Sequence, residues 1–279
     1  MKKLVVLLSA FVALTACTKK QAPAPEPEPV LPGSLVLYYS QTGATEKVAQ
    51  LIAAKTGADC EKFTVTPAYD GDFNATIARC QEEMKNGTVP ELVPLTKDVA
   101  KYDTIYLGFP IWFGTYAPPV AALFKHIDLR GKVVVPFCTF GSGGVEAAVD
   151  KLKAELPLAT VLDGYGIRSA RVDKAADEVN CFLTNAGILP GEKIVLPDFS
   201  EPKRITKAEN DIFKAACDSY SMPLGIPVMC CSRALKDATE YCFVTTDNKK
   251  VKDKDAKTKI YITVPNDKNI KPEFTKVVR

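Results

Sequence analysis

Three stretches of the chain are apolar throughout: 35–39 (LVLYY), 105–109 (IYLGF) and 133–138 (VVVPFC). A weaker run follows at 161–167 (VLDGYGI). Runs without polar alternation suit strands covered on both faces, as in a parallel sheet. Between them the periodicity turns helical. Residues 45–56 place Val48, Leu51, Ile52 and Lys55 on one side, and 118–127 do the same with Val120, Ala121, Leu123, Phe124 and Ile127. Segments 145–156 and 175–186 repeat the pattern. Strand-then-helix alternation at this spacing predicts an α/β fold with a doubly wound parallel sheet over residues 34–190.

Beyond residue 190 the pattern changes. Residues 188–204 (ILPGEKIVLPDFSEPKR) are proline-rich, and 191–204 read as a linker. Residues 206–220 predict one helix, with Ala208, Ile212, Phe213, Ala215 and Ala216 available for a buried side. Strand-like runs follow at 225–234, 240–246 and 257–265, with a short fourth at 273–278. One helix and an antiparallel meander make 205–279 a smaller α+β domain. The lysine-rich run 249–257 reads as a solvated hairpin loop. This domain faintly resembles cystatin-like domains of bacterial secreted proteins. The segment Ala234-Leu-Lys-Asp-Ala238 keeps neither the Gln nor the Gly of the inhibitory hairpin, so inhibition of cysteine proteases is not expected.

The first residues follow a different pattern. Lys2 and Lys3 precede an apolar segment of secretory-signal length, closed by Leu14-Thr15-Ala16-Cys17. That ending resembles the lipobox of bacterial lipoproteins, which implies lipidation of Cys17 and a bacterial membrane-anchored, exported protein at the periplasmic face or cell surface. Residues 1–17 are then signal peptide and lipobox. Residues 18–33, with alternating Ala-Pro and Glu-Pro, form a semi-rigid polyproline tether.

Charge narrows the choice of partners little. Residues 34–190 carry 15 Lys+Arg against 18 Asp+Glu, and residues 191–279 carry 17 against 13. Neither half is basic enough, or has the interleaved aromatic residues, for a nucleic-acid partner. Four cysteines precede residue 190 after Cys17 (Cys60, Cys80, Cys138, Cys181) and four follow it (Cys217, Cys230, Cys231, Cys242). That count permits disulfides in an exported chain without fixing their pairing. With one histidine and no CxxC, no metal site is expected.

In doubly wound sheets ligands sit beyond the carboxyl ends of the strands, so the residues just after each strand are the candidates. After the first come Ser40, Gln41, Thr42, Gly43, Ala44 and Thr45. A glycine, several hydroxyls and a helix start make this an anion cradle suited to a single phosphate. It is neither a Walker loop nor a GxGxxG fingerprint. After the strand at 105–109 come Pro110, Ile111, Trp112, Phe113 and Gly114, within a loop reaching residue 119. After the strand at 133–138 come Thr139, Phe140, Gly141, Ser142, Gly143 and Gly144. The aromatic residues offer flat apolar walls, and the glycines allow close backbone approach to a planar ring such as a flavin. Two other chemistries fail on the residues. A Cys-x5-Arg phosphatase loop would need Arg at Gly144, and a Gly-x-Ser-x-Gly elbow is not matched by Gly141-Ser142-Gly143. His126, at a predicted helix end, has no obvious partner.

Taken together, Ser40-x-Thr-Gly-x-Thr45, Gly108-Phe-Pro-Ile-Trp-Phe-Gly114 and Pro136-Phe-Cys-Thr-Phe-Gly-Ser-Gly-Gly144 resemble the flavodoxin family. The resemblance covers residues 34–190. It implies a five-stranded parallel sheet with FMN bound non-covalently. It places residues 40–45 at the ribityl phosphate and the 110–119 and 139–144 loops at the isoalloxazine ring. The implied role is electron transfer to an unknown redox partner or small acceptor, with no catalytic side chain. Two alternatives share this fold: a flavin-free tethered binding module that uses the C-terminal domain, and an FMN-dependent quinone reductase.

Overall fold

Leu35, Val36 and Leu37 are each fully buried because strand β1 (Ser34–Tyr38) has a parallel neighbour on either side and helices over both faces. The computed structural model describes residues 33–246 and 258–278. After β1 come α1 (Ala44–Thr56), β2 (Asp59–Lys62), β3 (Val65–Thr66), α2 (Phe73–Asn86) and β4 (Glu91–Leu92). Next are β5 (Thr104–Trp112), β6 (Thr115–Tyr116), α3 (Pro118–Phe124), β7 (Val133–Phe140) and α4 (Val145–Glu155). The first sheet is completed by β8 (Thr160–Val161) and β9 (Tyr165–Arg168), followed by α5 (Ala175–Asn185).

The sheet runs β2-β1-β5-β7 and is then closed by β8 and β9, which pair with successive parts of β7. All of these pairings are parallel. Five strand positions in this order make a doubly wound sheet. Side-chain alternation divides its core in two. Leu35, Leu37, Ile105 and Leu107 face α3 and α4 through Val120, Leu123, Ala148 and Leu152. Val36, Tyr38 and Tyr106 face α1 and α5 through Val48, Ile52, Val179 and Leu183. Burial on both faces is what erases polar alternation from these strands.

The remaining chain builds a second sheet. Strands β10 (Lys203–Arg204), β11 (Ile226–Ala234), β12 (Ala238–Thr246), β13 (Thr258–Pro265) and β14 (Glu273–Val278) pair antiparallel in that order. Helix α6 (Lys207–Cys217) sets Phe213 against Phe243, Ile260, Ile262 and Phe274. A smaller α+β domain therefore follows the α/β domain. The stretch read as linker ends in β10, and Ser200 already donates its N–H to the Ser232 carbonyl at 2.8 Å.

The leader with Cys17, most of the tether and the lysine-rich run 249–257 lie outside the described residues. The eight cysteines from Cys60 onward are free thiols, and Cys231 lies opposite Cys242 across β11 and β12.

Candidate functional site

The first loop begins where β1 runs out of partners. Ser40 is buried, and its Oγ accepts the Gly43 N–H at 3.1 Å. Gly43 takes φ +89° and a side chain built there would meet nothing within 4 Å. The glycine is therefore needed for its backbone conformation, and the space beside it is open. Gly43 is also the residue before α1, so no side chain caps the helix. The N–H groups of its first turn, beginning at Ala44 and Thr45, are left to whatever sits in front of them. Thr42 is exposed. Gln41 faces elsewhere: its Nε2 donates to the Tyr69 carbonyl at 3.0 Å and to Thr76 Oγ1 at 2.8 Å. It ties the loop to α2 and has no donor to spare.

The second loop is a hairpin. Ile111 and Trp112 at the end of β5 pair back with Tyr116 and Thr115 of β6. Phe113 and Gly114 make the turn at φ +50° and +79°. Positive φ at both central residues is the geometry that hairpin twist favours, and it is unusual for phenylalanine. Phe113 stands half exposed at the tip. Trp112 sits edge-on to Tyr39 (centroids 6.1 Å) and Tyr69 (5.1 Å). The Arg79 guanidinium lies 3.8 Å from the Tyr69 ring centre. Burial pushes the Tyr39 hydroxyl up to about 12, so it is neutral at physiological pH. The Thr115 Oγ1 is buried with no hydrogen-bond partner among the described residues. Pro110 is half-buried, and its carbonyl accepts the Ala117 N–H at 3.2 Å.

The third loop follows β7. Thr139 and Phe140 are buried, and Phe140 belongs to the core beneath the loop. The loop can therefore offer Phe140's backbone but not its ring. Burial raises the thiol pKa of neighbouring Cys138, keeping it neutral and unreactive. Gly141 is exposed, with nothing within 4 Å of an added Cβ. Gly143 is different: its Cβ would come within 2.0 Å of the Val277 carbonyl oxygen. Gly144, at φ +104°, precedes α4 as Gly43 precedes α1.

The third loop contacts both others, and Tyr39, just before the first, contacts the second. Thr45 and Thr139 share a hydroxyl hydrogen bond of 2.9 Å. Gly144 faces Ile111 Cγ2 at 3.2 Å and Gly114 Cα at 3.5 Å, measured from an added Cβ. Tyr39 meets Trp112. The structure thus gathers 40–45, 110–114 and 139–144 at one carboxyl edge, with no charged residue in any of the three. The carboxylates that follow the first and third loops in sequence are engaged, Glu46 with Lys62 at 3.0 Å and Glu146 with Lys276 at 3.1 Å.

Several participants carry no signal in the sequence pattern. Tyr69, Thr76 and Arg79 come from a segment without apolar periodicity. Arg168, whose Nε donates to the Gly141 carbonyl at 2.8 Å, directly follows a weak strand, and inspecting that position would have found it. A separate hollow of about 210 Å³, lined by Ile127, Leu129, Leu156 and their neighbours, lies at the opposite end of the strands.

Residues 33–184 match the flavodoxin family model, more than half of the chain. The chain belongs to the flavodoxin family. Among solved structures, this flavodoxin chain is similar to a protein assigned as a flavoprotein in Bacteroides uniformis. The identity is 29% over 53% of this chain and 97% of that one, with a TM-score of 0.47. A Lactobacillus acidophilus flavoprotein in complex with FMN is 26% identical over 51% of this chain and 97% of that one, TM-score 0.44. Flavodoxin 2 from Bacillus cereus is 21% identical over 55% and 98%, TM-score 0.34. No curated protein matches.

The residues present fit the flavin mononucleotide that this family membership suggests. The donors of the first loop are neutral hydroxyls and uncapped helix N–H groups, which suits a phosphate. An orphaned buried hydroxyl sits at Thr115. Gly114 and Gly141 leave open space beside an aromatic cluster. The part of the loop at Gly143 does not fit, because the C-terminal strand already fills that space.

Proposed function

We propose that the protein is an FMN-binding electron-transfer flavoprotein, exported and held at a bacterial membrane by lipid on Cys17. The observation that carries this reading is the meeting of three uncharged loops beside the uncapped start of α1. Ser40, Thr42 and Thr45 would bind the phosphate together with the first N–H groups of α1. Trp112 and the backbone of 139–141 would flank the ring. FMN, when bound, supplies one- and two-electron redox chemistry. The chain's part is to hold the cofactor, exclude water from its buried edge and set its electrostatic surroundings. No side chain in the loops is placed as a general acid or base. The leader and tether motifs support export, and the partner is a redox protein or small acceptor.

One observation favours a second reading, a flavin-free binding module. The Ser142 carbonyl and the space at Gly143 are committed to β14, so part of the third loop already has a structural task.

The two readings separate in an anaerobic experiment. FMN-loaded protein should take up electrons from dithionite and return them quantitatively to a one-electron acceptor. It should show no steady turnover of quinone with NADH. Sustained NADH–quinone turnover would make it a reductase, and a failure to load would leave the binding module.

A further inference from the structure

The C-terminal domain touches the α/β domain at the third candidate loop. Arg168, the last residue of β9, donates from Nε to the Gly141 carbonyl at 2.8 Å and from Nη1 to the Phe274 carbonyl at 3.0 Å. Its guanidinium also lies 4.2 Å from the Phe274 ring centre and 5.3 Å from that of Tyr220. One residue thus grips the loop with one arm and β14 with the other. Beside it, the Val277 N–H donates to the Ser142 carbonyl at 2.6 Å, and Gly143 pairs with Val277 as a parallel bridge. Ion pairs surround this contact. Glu273 meets Arg171 at 3.1 Å and Lys174 at 3.0 Å, and Lys276 meets Glu146 at 3.1 Å.

We propose that β14 and Arg168 are positioning elements for the flavin site. They hold loop 139–144 in its binding shape, so that cofactor binding and docking of the C-terminal domain are coupled. The inference rests on the FMN reading above. A loop with glycine at 141, 143 and 144 has many conformations to lose when a ligand orders it. Pinning the Gly141 and Ser142 carbonyls lowers that cost before the ligand arrives. Coupling is reciprocal, so FMN must in turn tighten the hold on β14. Gly143 belongs to this contact: its missing side chain makes room for the Val277 carbonyl.

The test uses the full chain, with FMN affinity read from the quenching of flavin fluorescence and amide exchange read at Val277. Arg168→Gln and, as the milder change outside the loop, Glu273→Gln are compared with the parent protein below the melting temperature of each. The inference expects FMN to slow exchange at Val277 in the parent. It expects Arg168→Gln to weaken FMN binding about tenfold, within the usual range of such coupling, and Arg168→Lys to restore part of the loss. A residue acting on stability alone would lower the melting temperature without either effect. FMN affinity unchanged in variants whose Val277 exchange has accelerated would overturn the inference and leave the FMN reading intact. A parent protein that binds no FMN would overturn both.

Discussion

Two glycines of the same loop separate open space from crowding. At Gly141 an added methyl meets nothing within 4 Å, while at Gly143 it would meet a carbonyl oxygen at 2.0 Å. Gly143→Ala should therefore destabilise the fold by about 1–3 kcal/mol through overpacking. Gly141→Ala should stay within about 0.5 kcal/mol of the parent. Urea denaturation of the two variants measures the difference, and equal effects would contradict the contact with Val277. The hydroxyl pair between Thr45 and Thr139 invites a second substitution. Thr45→Val keeps the shape and leaves the buried Thr139 hydroxyl without its partner, at a cost of about 1–3 kcal/mol. That residues 40–45, 110–114 and 139–144 come together was legible because they follow strands whose ends the sequence marks. The role of Gln41 was not legible, because its partners Tyr69 and Thr76 lie in a stretch without pattern. Arg168 was legible by its place after a strand, but its bond to the Phe274 carbonyl, more than a hundred residues away, was not.

At the scale of elements, legibility followed burial. Strands β1, β5 and β7 are covered on both faces and read as apolar runs. Strand β2 lies at the edge of the sheet, with Asp59, Cys60 and Lys62 exposed, and so has no such run. Helix α2 buries only Thr76 and Cys80, which leaves no apolar stripe to detect. Helix α6 is set by chemistry visible in its first residues. Glu209 accepts from the Thr206 N–H at 2.7 Å and from its hydroxyl at 2.8 Å, and pairs with Lys203 at 2.6 Å. The Lys203 ammonium and then the Thr206 N–H hold the Glu209 carboxyl down at about 2. A carboxyl lowered by folding stabilises the folded state at neutral pH. That contribution is lost as pH falls from the ordinary carboxylate range through about 2. Glu209→Gln should remove this pH dependence and cost about 1–3 kcal/mol near pH 7. A parent and a variant whose stabilities run parallel from pH 5 to pH 2 would contradict the assignment.

For the whole molecule, two sheets of different kind meet where β14 touches loop 139–144. The alternation of runs announced an α/β domain followed by an α+β domain. Their contact was not announced, because it depends on a carbonyl of Ser142 and an N–H of Val277, groups that every residue of either type carries. Ligand linkage gives a global readout of the site. FMN present at about 100 times its dissociation constant should add about 2.7 kcal/mol to stability and raise the melting temperature accordingly. Binding of FMN by the gathered loops is read from the visible absorption spectrum of the protein after incubation with FMN and desalting. Loops that hold FMN will leave flavin bands at about one FMN per chain, lost when Thr42 and Thr45 are both replaced by glutamate. A colourless protein after desalting, with a melting temperature indifferent to added FMN, would contradict it.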